Sequence, residues 1–110
     1  MALALLEREL PVQVNPDGTN YEASTSYHLL VTEMLLHTLI LLRLNSVAAG
    51  PRLARLLPLM IGALAGLIRP DGELPLFGDC DSGRWLALES DTLDLRTGQD
   101  AAGVLALVAA

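Results

Sequence analysis

The chain has 110 residues, enough for one small domain. Its 52% hydrophobic content and mean hydropathy of +0.44 exclude a disordered segment. A net charge of −6 argues against a nucleic-acid partner, which needs a basic surface, but leaves room for an anionic substrate in a locally basic cleft.

Only 4% of residues are aromatic, and Leu and Ala, both strong helix formers, carry most of the apolar mass. An all-α fold of antiparallel helical hairpins follows. Met1 to Leu10 reads as the end of a helix, with Leu3, Leu6 and Leu10 at helical spacing and Pro11 as its stop. Asn15-Pro16-Asp17-Gly18 is a turn. A second helix spans about Ser24 to Leu44, capped by Ser24 or Thr25 and ended by Asn45-Ser46 and Gly50-Pro51. A third covers about Pro51 to Arg69, with Pro58 expected to kink or break it and Pro70-Asp71-Gly72 closing it. A loop from Gly72 to about Thr97 follows, with a short strand at Trp85 to Leu88, and then a helix from about Gln99 to Ala110. That last helix has no C-cap, which reads as a cut chain, and such apolar helices on so short a chain suggest a fragment, an oligomer or a membrane segment. The first residues do not form a signal peptide, because Glu7 and Glu9 interrupt a short apolar stretch with no basic region before it.

The two Pro-Asp-Gly turns form a small internal repeat. Helices joined by short loops pack antiparallel, so the residues after Gly18 and those after Gly72 should meet at one rim. This sets Tyr21 to His28 beside Gly78 to Arg84.

The first segment supplies a phenol, Tyr27, and an imidazole, His28, at a helix N-terminus, where the helix dipole favours an anion. A tyrosine there can give a proton to a leaving oxygen or take one from carbon; the alternative is that Tyr27 plugs the helix end and the Ser/Thr residues merely cap it. In the second segment, Asp79 and Asp81 with Gly83 resemble the start of a calcium loop. Gly83 stands where a calcium loop needs a third oxygen ligand and Ser90 where it needs a glutamate, so no metal is assigned. Arg84 pairing with Asp79 or Asp81 would brace the loop, or these groups face substrate. Glu33 and His37 sit one turn apart, as a buried acid/base pair or a local contact. The single cysteine, Cys80, lacks an activating partner unless His28 approaches it across the rim.

The run from Pro16 through Asp-Gly-Thr-Asn-Tyr-Glu-Ala-Ser-Thr-Ser-Tyr to His28, then Glu33, resembles the conserved block of heparinase II/III-type polysaccharide lyases. Leu76-Phe-Gly-Asp-Cys-Asp-Ser-Gly-Arg84 is similar to a second segment of that family. The resemblance covers about Leu6 to Leu107, with Leu29 in place of a common arginine and Cys80 in place of a common asparagine. It implies part of an incomplete α/α toroid, with the chain's 1–110 lacking the family's upstream segment and C-terminal β-sandwich. It implies β-elimination on an acidic, uronate-containing polysaccharide, with Tyr27 as the acid and also a candidate base. His28 would orient Tyr27 or touch the sugar; Asn20, Tyr21 and Glu22 would line the rim, and Asp79, Asp81 and Arg84 the opposite wall. No cofactor is implied. A periplasmic or secreted setting is, as is a partner in the remainder of the lyase or a second copy. Little or no activity is expected from the isolated chain.

Two other readings remain. One is a non-catalytic helical remnant or interaction module. The other is a membrane hairpin, for which Leu53 to Ile68 and Leu29 to Leu42 are about sixteen and fourteen residues long and carry Arg55 and Glu33, against roughly twenty apolar residues for a span.

Overall fold

The computed structural model describes residues 1–80. The strand expected at Trp85 to Leu88 and the final helix lie outside them. Within them the chain is helical, with three helices and no strand: α1 (Ala2–Gln13), α2 (Thr25–Leu44) and α3 (Pro51–Leu67).

Helix α3 is the common partner, packing against both α1 and α2, which do not pair with each other. Its buried stripe of Leu53, Leu56, Leu57, Met60 and Leu64 follows helical spacing and forms the centre of the core. Leu10 and Val14 meet it from the α1 side, and Leu29, Leu35 and Leu36 from α2. Helices α2 and α3 form the expected antiparallel hairpin: the Asn45–Gly50 connection is short, and Leu67 at the end of α3 returns to the head of α2.

Two expectations about proline are corrected. Pro11 does not stop α1, which continues to Gln13. Proline removes the hydrogen bond to the carbonyl four residues earlier, here Glu7. The Arg52 guanidinium supplies the missing donor, Nη1 lying 2.7 Å from the Glu7 carbonyl oxygen. Nor does Pro58 break α3, which runs unbroken from Pro51 to Leu67. Pro58 and Ala54, whose carbonyl loses its partner, are both exposed, so water can satisfy that oxygen.

The head of α3 is built by α1. Gly50 has no side chain to cap the helix, and the Glu7 carboxylate takes that role from a distance: its two oxygens accept the Arg52 and Leu53 amides, each at 2.9 Å.

The two Pro-Asp-Gly turns repeat each other bond for bond. Asn15 N–H donates to the Thr19 carbonyl and Arg69 N–H to the Glu73 carbonyl, at 2.8 and 2.9 Å. Gly18 and Gly72 donate back to Asn15 and Arg69, each at 2.9 Å, and sit at φ +89 and +86. Asp17 Oδ1 accepts Thr19 N–H and Asp71 Oδ1 accepts Glu73 N–H. The first turn is pressed onto α3, with Gly18 against the backbone of Leu59. An antiparallel bridge between Val14 and Asn20 then leads the chain to α2.

Candidate functional site

The site forms at the head of α2. Ser24 is its N-cap, the Oγ accepting the Tyr27 amide at 3.2 Å and donating to the Asp79 carbonyl. Thr25, the first helical residue, donates its amide to the Phe77 carbonyl at 3.1 Å. Its hydroxyl accepts the Phe77 amide at 3.2 Å and donates to the Pro75 carbonyl at 2.7 Å. The two segments expected to share a rim therefore meet through Ser24 and Thr25 on one side and Pro75 to Asp79 on the other. These bonds also occupy the Thr25 and Tyr27 amides, so those two groups of the helix end are already turned to oxygens within the fold.

The polar block is more buried than its composition suggests. Asn20, Ser24, Thr25, Ser26 and His28 are all 5% exposed or less. Asn20 Oδ1 accepts the Glu22 amide at 2.9 Å and shapes the approach to α2. Tyr21 and Glu22 stand exposed at the rim, where the phenol donates to Glu22 Oε1 at 3.2 Å. That bond to a carboxylate holds the Tyr21 pKa above the ordinary phenol value. Asp17 accepts both the amide and the hydroxyl of Thr19, at 2.9 and 2.7 Å, and its pKa lies below the ordinary carboxyl value for that reason.

Tyr27 is half-buried in the first turn of α2. His28, next to it, points into the fold: Nε2 lies 3.0 Å from the Met60 carbonyl on α3. A carbonyl can only accept, so Nε2 carries the proton and Nδ1 holds the lone pair. Nδ1 is buried without a hydrogen-bond partner. Burial lowers the His28 pKa below 6.5, against smaller opposing effects of the Met60 bond and the Asp17 charge.

A cleft of about 250 Å³ opens between these parts, lined by Asn15, Thr19, Asn20, Ser24, Thr25 and His28, with Ala23, Leu67 and Phe77 completing it. Asp79 is exposed beside it. Asp81 and Arg84 lie outside the described residues. The Cys80 thiol donates to the Phe77 carbonyl at 3.3 Å and sits 3.8 Å from the Thr25 hydroxyl. Of the paired Glu33 and His37, the imidazole Nδ1 meets the Glu33 carbonyl at 2.8 Å, a local contact along the helix. Among the described residues no group of three or more His, Cys, Asp or Glu could hold a metal ion. Helix α2 is long and apolar enough to cross a membrane by length and composition, and Thr25, Ser26, His28, Thr32 and Glu33 are among its buried residues.

The sequence marks Ser24 and Thr25 as caps but does not show that Asp79 is the partner of the first and Phe77 of the second. The available signal was a run of hydroxyl residues longer than a single cap needs.

The family model described as heparinase II/III N-terminus matches residues 1–94. No curated protein and no solved structure matches the chain.

Proposed function

The chain belongs to the heparinase II/III family, and from that premise we propose that it forms part of the helical catalytic domain of a polysaccharide lyase, within an α/α toroid. The observation that carries this reading is the docking of the Phe77 to Asp79 segment on the head of α2, one turn from Tyr27. Two blocks that resemble the family's motifs, far apart in sequence, thereby form the two walls of one rim.

The proposed reaction is β-elimination at a uronic acid. Neutralising the carboxylate acidifies the C5 proton, a base removes it, and an acid protonates the departing glycosidic oxygen. Tyr27 is the acid, and a candidate for the base. His28 serves by orienting the first turn, a role its burial and its bond to Met60 support better than sugar contact. Exposed Tyr21, Glu22 and Asp79 line the walls and Asn20 holds the rim from beneath; Asp81 and Arg84, assigned to the same role by the resemblance, lie outside the described residues. In the family, carboxylate-neutralising groups come from an upstream Asn/His segment and a further histidine from a β-sandwich, so residues 1–110 alone should unsaturate little or no uronate.

A second reading, a non-catalytic interaction module, draws on exposed Leu41, Leu44 and Val47 at the far end of α2. The test compares wild type with Tyr27→Phe in the native gene product, following the ultraviolet absorbance of unsaturated uronate. Loss of elimination with retained substrate binding is expected. Full activity without the phenol would sink the assignment.

A further inference from the structure

We propose that Thr25 is a positioning residue, which with Ser24 fixes the Phe77 to Asp79 wall against the turn that carries Tyr27. The proposal rests on the lyase reading above. Capping alone does not account for Thr25. Ser24 already caps α2 through the Tyr27 amide, leaving the Thr25 hydroxyl free of that duty. Thr25 instead meets Phe77 with both donor and acceptor, amide to carbonyl at 3.1 Å and hydroxyl from amide at 3.2 Å. The hydroxyl proton goes on to the Pro75 carbonyl at 2.7 Å. One side chain thus stands in for a strand neighbour and reads the height of the wall at two successive peptides.

The backbone at this junction is also unusual. Ala23, just before the cap, sits at φ +53, and Gly78 in the wall sits at φ +70. A Cβ on Gly78 would lie 2.8 Å from the Ala23 carbonyl oxygen, so the two left-handed residues are packed back to back. A left-handed alanine persists only where its surroundings impose it, and such strain gathers at functional sites. Both features hold the wall close to the Tyr27 turn. Displacement of a catalytic group by about an ångström can cost on the order of a hundredfold in rate. The effect of loosening this junction should therefore fall on kcat rather than KM.

The test compares Thr25→Val, which keeps the shape and loses the hydroxyl, with Thr25→Ser, which keeps the hydroxyl. In the native gene product, Thr25→Val should lower kcat about tenfold with KM within about twofold, and Thr25→Ser should recover most of the loss. Hydrogen exchange of the Phe77 amide should be faster in Thr25→Val and near wild type in Thr25→Ser. Unchanged exchange at Phe77, or a lower Tm with kcat unchanged, overturns the proposal. Wild-type protein that unsaturates no uronate, with Tyr27→Phe no different, removes the lyase reading and the role built on it. Phe77 exchange in Thr25→Val distinguishes that failure from failure of the clamp itself.

Discussion

The Glu7 carboxylate accepts the backbone amide of Leu53 at 2.9 Å, although 46 residues separate them in the chain. With the Arg52 amide on its other oxygen, it caps a helix whose own N-cap, Gly50, has no side chain. A carboxylate at a helix N-terminus also meets the favourable end of the helix dipole. Glu7→Ala should therefore cost about 2 kcal/mol. A Cβ at Gly50 would overlap the end of the Glu7 side chain and not the backbone. Gly50→Ala should accordingly act by expelling the same carboxylate. Urea titration of both single variants and the double variant checks this, and the double should cost scarcely more than Glu7→Ala. Additive losses would mean that Gly50 serves some other purpose.

Gly18 and Gly72 occupy equivalent places in the repeated turns with nearly equal positive φ, but their surroundings differ. Around Gly72 an added Cβ meets open space, whereas at Gly18 it would overlap the Leu59 backbone. Gly72→Ala should cost about 1 kcal/mol, the strain of the left-handed conformation alone. Gly18→Ala should cost about 3 kcal/mol or more, because backbone cannot swing aside. Denaturation midpoints of the two variants decide it, and equal losses would refute the packing of the first turn on α3.

These two cases show where the sequence was legible. The heads of α2 and α3 were readable because Ser24 caps one and Pro51 opens the other, signals that act locally. The repeated Pro-Asp-Gly turns announced the shared rim, because Asp and Gly close each turn through bonds within five residues. The end of α1 was not readable, since what lets Pro11 stay helical is an arginine from α3. Nor was the role of Thr25, because a hydroxyl beside a helix start looks like a cap until Phe77 is seen to face it. His28 looked like a rim residue in a polar run; only the packing of α2 on α3 turns it inward toward Met60.

That inward histidine predicts a pH dependence. Burial holds the folded-state pKa of His28 below the ordinary 6.5, so the unfolded chain takes up its proton first as pH falls. The stability associated with neutral His28 is fully present above about pH 6.5 and is lost as pH drops through the depressed folded value. Protonation of Nδ1 would add a donor that has no acceptor in the core. Urea midpoints should be flat from neutral pH upward, decline below about pH 6.5 and lose this contribution to the slope once the depressed folded value is passed. His28→Gln should be less stable at neutral pH and show a shallower decline. An equally steep decline without the imidazole would assign the effect to other groups.

The two helical prolines make a further comparison, because each frees one carbonyl, and at the first of these an arginine side chain supplies a donor. At Pro11 the freed oxygen is that of Glu7, which Arg52 Nη1 already satisfies at 2.7 Å. At Pro58 it is that of Ala54, on the exposed face of α3. Pro58→Ala restores an internal hydrogen bond and a better helix former, and should stabilise the chain by about 1–3 kcal/mol. Pro11→Ala restores an amide to an oxygen that Arg52 occupies, so the new bond competes with an existing one and the gain should be smaller. Adding Arg52→Ala should then widen the benefit of Pro11→Ala, since the carbonyl would otherwise lose its only side-chain donor. Thermal or urea unfolding of these variants measures both effects. A larger gain at position 11 than at 58 would show that Arg52 does not compensate for the proline.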